Sequence, residues 1–87
     1  MKIKEGYILR EVAGNYLVVA IGEASLDFNG VITLNETGAY LWNMLLEGAT
    51  EEELISSMTE EYEIDESVAK SDVLAFVGKL KEAELLA

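Results

Sequence analysis

The spacing of apolar positions changes once along this chain, inside the stretch Ile32-Thr33-Leu34-Asn35-Glu36-Thr37-Gly38-Ala39-Tyr40-Leu41-Trp42. Before it, short β-branched and apolar runs are separated by glycine-containing turns. After it, apolar residues recur at helical spacing. Tyr7 to Val12 reads as a first strand. Ala13-Gly14-Asn15 reads as a turn, and Tyr16 to Ile21 as a second strand, the most apolar in the chain. So short a connection predicts an antiparallel hairpin. Gly22 to Gly30 is a loop, expected to be pinned by Leu26 or Phe28, and Asn29-Gly30 is a turn signal. Val31 to Leu34 is the third strand. Nothing C-terminal to it reads as a strand, so it should form a sheet edge with unpaired N–H and C=O groups.

Asn35 is placed to cap the first helix, which runs from about Glu36 to Leu46 and stops at Gly48. Gly38, Leu41, Trp42, Leu45 and Leu46 share its apolar face. Trp42, among three leucines, is expected to anchor the core rather than to stack on a ligand. Thr50-Glu51-Glu52-Glu53 has the form of a capping box and opens a second helix to about Tyr62, with Leu54, Ile55, Met58 and Tyr62 facing inward. Asp65 is expected to cap a third helix reaching about Ala83, with a core stripe of Ala69, Val73, Phe76 and Leu80. Leu85 and Leu86 close the chain. Strands followed by helices give an α+β fold, and the short link between the first two helices suggests a winged helix-turn-helix with an N-terminal three-stranded antiparallel sheet. The whole chain, 1–87, is expected to be a single domain.

Composition narrows the chemistry. The 87 residues include no Cys, no His and no Pro. Thiol nucleophiles, imidazole bases, disulfides and the usual zinc ligand sets are therefore absent. No apolar run is long enough to span a membrane and no signal peptide is apparent, so a cytoplasmic protein is expected. The balance of 17 acidic against 6 basic residues gives a formal charge of −11. Such a field repels phosphate backbones and anionic lipid, so neither nucleic acid nor membrane is an expected partner.

The acidic clusters Glu51-Glu52-Glu53, Glu60-Glu61, Glu63 and Asp65-Glu66 fall at helix starts and on exposed faces. There they favour the helix dipole and solubility rather than forming a paired-carboxylate site. Calcium-loop spacing is missing. The serines have no histidine to act as base, and no glycine-rich phosphate loop is present. No enzyme activity, no cofactor and no metal are expected.

The third helix carries more information. Its apolar arc is wider than a core stripe requires. Leu74 and Val77 extend it to one side, and Lys70 and Lys81 lie on that same side. Ser71, Ala75 and Gly78 form a further face of small residues. One reading is a fully packed helix with ordinary surface lysines. The sharper reading is a groove with an apolar floor and basic rims beside an open strand edge. Such a groove suits strand addition by an extended peptide, whose backbone bonds the edge while alternate side chains enter the groove.

Leu34-Asn35-Glu36-Thr37-Gly38 with Leu41-Trp42 and Leu45-Leu46 is followed by Gly48-Ala49-Thr50-Glu51-Glu52-Glu53-Leu54. Asp72-Val73 with Phe76-Val77 and Leu80, and then Leu85-Leu86, complete the set. This ordered set resembles the pyrroloquinoline quinone biosynthesis protein D family, also known as the PqqD-like or RiPP recognition element family. The resemblance extends from Tyr7 onward. It implies a winged helix-turn-helix that is not catalytic and binds the leader of a ribosomally made precursor peptide. The member presents that peptide to a modifying enzyme, a radical S-adenosylmethionine (radical SAM) protein in the quinone pathway. Carried over, Val31, Ile32, Thr33 and Leu34 would be the docking strand, and Lys70, Leu74, Val77 and Lys81 the facing helix. Two alternatives stay open. One is a dimerisation or interaction subunit without a peptide client, using the strand edge and Tyr40 with Met44 in a homodimer. The other is a DNA-binding winged helix, which the charge disfavours.

Overall fold

The computed structural model describes residues 1–27 and 30–87. Strands β1 (Tyr7–Val12) and β2 (Asn15–Ala20) form the hairpin. A one-turn helix α1 (Ala24–Asp27) precedes β3 (Ile32–Leu34), and the helices α2 (Glu36–Glu47), α3 (Glu51–Tyr62) and α4 (Glu66–Glu82) follow. The architecture is α+β, with strands before helices. Sheet order is β1-β2-β3, antiparallel throughout. Among the described residues, no helix is long and apolar enough to cross a membrane.

The hairpin turn is tighter than expected. Asn15 belongs to β2 and pairs with Val12, leaving only Ala13 and Gly14 between the strands. Both have positive φ, 51° and 81°, the backbone of a type I′ turn that matches strand twist. In such a turn the flanking residues Val12 and Asn15 exchange hydrogen bonds, and bonded pairs then recur at every second position. At the far end of the ladder the Ile21 N–H donates to the Gly6 carbonyl at 2.7 Å, in the phase this alternation requires. The backbone of Asn15, Leu17 and Val19 therefore faces β1, while that of Tyr16 and Val18 faces β3. These two pair with Leu34 and Ile32 respectively. The N–H and C=O of Thr33, between them, point away from β2.

The loop after β2 is held differently from the expectation. Leu26 is 81% exposed and pins nothing. Instead Ala24 packs on Gly6, so closely that a Cβ added at Gly6 would lie 2.7 Å from the Ala24 Cβ. Phe28 and the Asn29 of the turn signal lie outside the described residues.

The inner face of the sheet meets the helices in one apolar cluster of Val18, Leu34, Leu41, Trp42, Leu45, Leu54, Met58, Ala69, Val73, Phe76, Val77, Leu80 and Leu85, among others. Trp42 is fully buried, as an anchor should be, and its indole N–H has no partner among the described residues. Leu46, expected on the same face, is 41% exposed. Tyr40 and Met44 turn inward and pack against the cluster. The Tyr40 hydroxyl bonds that of Ser57 on α3, and its ring meets Tyr62 edge-on at 5.5 Å. The capping box is complete: the Thr50 hydroxyl accepts from Glu53 N–H at 3.1 Å, and the Glu53 carboxylate accepts from Thr50 N–H at 2.9 Å. Asp65 occupies the cap position of α4, but its side chain makes no capping bond. Its carboxylate acts there through charge on the helix dipole alone.

The first residues also join the core. Ile3 is buried and forms an isolated antiparallel bridge with Leu86. Its N–H donates to the Leu45 carbonyl at 3.0 Å, and Lys4 N–H donates to that of Leu85 at 2.8 Å. This bridge ties the two chain ends to α2 and leaves β3 at its edge position.

Candidate peptide-binding site

The junction between β3 and α2 fixes one wall of a cleft. Asn35 leaves the strand in extended conformation, and its Oδ1 accepts from Gly38 N–H at 2.8 Å and from the Thr37 hydroxyl at 3.0 Å. The Asn35 carbonyl accepts the first helical bond, from Ala39 N–H. Glu36 adds negative charge at the positive end of the helix. Gly38 is buried where the strand, the cap and α4 converge. A Cβ there would stand 3.1 Å from Asn35 Oδ1, 3.3 Å from Leu34 Cβ and 3.4 Å from Phe76 Cε1. The Asn-Glu-Thr-Gly run is thus a compact cap whose outer surface is available to a ligand.

The cleft beside it has a volume of about 440 Å³. Leu34, Gly38, Leu41 and Phe76 make its floor. Thr33, Asn35 and Thr37 form one rim, and Asp72, Ala75 and Lys79 of α4 form the other. Among the described residues β3 pairs with β2 alone, so the outward backbone groups of Thr33 open along this cleft. A hollow between the end of α3 and the start of α4 is larger, about 650 Å³. Its walls carry Glu52, Asp65 and Glu66, and no strand borders it.

The residues expected to dock a peptide fall in different surroundings. Thr33 and Leu34 line the cleft. Ile32 is half-buried beneath the sheet, and Val31, just outside β3, is exposed. On α4, Val77 is 4% exposed, belongs to the core and does not line the cleft. Lys70, Leu74 and Lys81 are exposed, but none of them lines the cleft. At 100° per residue they lie on one side of the buried Val73–Leu80 line, and Asp72, Ala75 and Lys79 lie on the other. The spacing showed that α4 has two flanks beyond its core stripe. It did not show which flank faces β3. Ala75 and Phe76 were visible as a small residue and a core residue, and only the fold makes them neighbours of the strand.

Among the described residues, no group of three or more His, Asp or Glu is placed to hold a metal ion. No buried charged group is present among them either. The cleft has the parts for holding an extended chain: open backbone groups on one side, an apolar floor, and one charge of each sign on the other side.

A family model described as coenzyme PQQ synthesis protein D (PqqD) matches residues 7–86. The chain belongs to this family. No curated protein matches it significantly. Two solved structures are similar to it in fold. One is TbiB1 in complex with the TbiA(beta) leader peptide, with a TM-score of 0.77 and 23% identity over 99% of this chain and 94% of that one. The other is lasso peptide synthetase B1 complexed with the leader peptide, with a TM-score of 0.76 and 21% identity over 97% and 93%. The PqqD match begins at the first residue of β1 and so takes in every element that builds the cleft.

Proposed function

We propose that this protein is a non-catalytic adaptor that captures the leader segment of a ribosomally made precursor peptide. The segment adds to β3 as a fourth strand and is presented to a modifying enzyme, such as a radical SAM protein. One observation carries the reading: the outward N–H and C=O of Thr33 border an apolar-floored cleft that the protein's own described residues leave open. Membership of the PqqD family supports it, and so do two similar folds solved with leader peptides. The docking residues are Thr33 and its neighbours Val31, Ile32 and Leu34, facing Ala75 and Phe76 across the cleft. The winged helix-turn-helix arrangement then serves peptide rather than nucleic acid, in keeping with a charge of −11.

The test is capture of peptides from a random library displayed on phage, followed by titration of synthetic copies of the enriched sequences. Thr33→Pro removes the outward donor while leaving the β2 ladder intact. The wild type should enrich peptides and Thr33→Pro should not, with the emission of buried Trp42 showing that the variant is folded. A folded Thr33→Pro that captures the same peptides equally well removes β3 as the docking strand.

A further inference from the structure

Two opposite charges, Asp72 and Lys79, stand on the α4 rim of the cleft. Asp72 and Lys79 are seven residues apart on the flank that lines the cleft, a separation of about 10 Å along the helix axis. Ala75 and Phe76 lie between them, over the apolar floor. In a strand added to β3, every second side chain points toward α4. Side chains at i−2, i and i+2 therefore share that face and span roughly 13 Å. With that strand running along α4 and residue i over Phe76, its two same-face neighbours would come within side-chain reach of Asp72 on one side and Lys79 on the other.

From this match, and resting on the strand-addition reading, we propose that Asp72 and Lys79 are specificity-determining residues for the bound segment. The segment carries an apolar residue flanked at alternate positions by one basic and one acidic residue, the basic one toward Asp72 and the acidic one toward Lys79.

Repulsion does much of the selecting. The chain has 17 acids against 6 bases, and among the described residues Lys79 is the one cation that lines the cleft. An acidic peptide side chain is tolerated beside Lys79 and opposed elsewhere, and a basic one beside Lys79 meets like charge. Among the described residues, neither rim residue is engaged in an ion pair. Both are exposed, and a peptide laid over them excludes water, which strengthens attraction and repulsion alike.

The experiment is the same phage-displayed random library, panned in parallel against wild type and the double variant Asp72→Lys/Lys79→Asp. The two substitutions keep the net charge and lie on the surface. Wild type should enrich sequences with one order of charges around an apolar residue, and the double variant should enrich the reverse order. Synthetic peptides of each order should differ in affinity by about tenfold for the wild type and switch rank with the double variant. Identical enrichment by both proteins, or enrichment with no preferred charge order, overturns the inference. If Thr33→Pro still abolishes capture in that case, strand addition stands and only the charge code falls. If folded wild type enriches no peptide, both fall.

Discussion

The two flanks of α4 contain similar materials in different settings. One carries Lys70, Leu74 and Lys81, and the other carries Asp72, Ala75 and Lys79. The first flank exposes the larger apolar side chain, with Leu74 45% accessible. Yet the second lines the cleft against β3. The difference lies in the neighbour. A helix flank offers a slot for an extended chain only where an open strand edge lies alongside, because the backbone of that chain needs partners. A small residue such as Ala75 leaves the slot open, where a Leu would fill it. Exposed apolar area alone, as at Leu74, is common on protein surfaces and carries no such meaning.

The largest effects should separate neighbouring residues on β3. Leu34→Pro removes a ladder bond to Tyr16 and a buried side chain together, so it should cost about 3 kcal/mol or more and leave the chain largely unfolded by circular dichroism. Thr33→Pro, one position earlier, should stay folded. Equal damage from both would mean that the hydrogen-bond phase of the sheet is one residue out of step. Across the cleft, Ala75→Trp should fill the slot and weaken binding of an enriched peptide about tenfold or more. Its stability should change by only about 0.5 kcal/mol. Leu74→Asp, on the other flank, should leave affinity within about twofold. Titrations that reverse these two results would put the peptide on the Lys70–Leu74–Lys81 side.

Gly38 sharpens the contrast from below. Alanine is preferred over glycine inside a helix by about 1 kcal/mol. The added methyl would press on Asn35 Oδ1, Leu34 and Phe76 at 3.1–3.4 Å. The two effects should nearly cancel in a urea titration. The same methyl raises the cleft floor, so peptide affinity should fall severalfold. Unchanged affinity would mean that the bound chain rides on the rims and never reaches the floor.

These contrasts also show what the linear pattern could carry. Local signals were legible because they act over a few residues: the Asn35 cap, the Thr50–Glu53 box, the Gly48 stop and the inward stripe of α4. The edge position of β3 followed from the absence of any later strand signal. The cleft-lining flank of α4 was not legible, because helical periodicity fixes angles about the helix axis but not the rotation of that axis against the sheet. Width of the apolar arc pointed to Val77, which packing took into the core. The role of Ile3 was missed for a related reason. A lone apolar residue between Lys2 and Lys4 forms no periodic pattern, and its partners Leu45 and Leu86 are far away in sequence. Tyr40 and Met44 looked like an outer surface of α2, but both pack against the core cluster, Tyr40 meeting Ser57 and Tyr62 of α3.

The smallest expected effect serves as the reference for the rest, since it concerns a helix that supplies neither flank. The Thr50 backbone N–H first, and its nearby hydroxyl second, hold the Glu53 carboxyl below its ordinary value near 4.5. A group whose pKa is lowered by folding stabilises the protein above its unfolded value, and that contribution is lost as pH falls through the folded one. Wild type should therefore lose the Glu53 contribution as pH falls below about 4.5. Glu53→Gln keeps an oxygen acceptor for the Thr50 N–H and has no proton to gain. Many other carboxylates titrate over the same interval, and relief of their mutual repulsion pushes stability the other way. The readable quantity is thus the difference between the two proteins. Urea midpoints should favour wild type at neutral pH and converge in acid. Peptide affinity at neutral pH should be the same for both, because no residue of α3 lines the cleft. A Glu53→Gln variant that bound peptide less well would show that the cap orients more than its own helix. The cleft would then have to be drawn to include the link between α2 and α3.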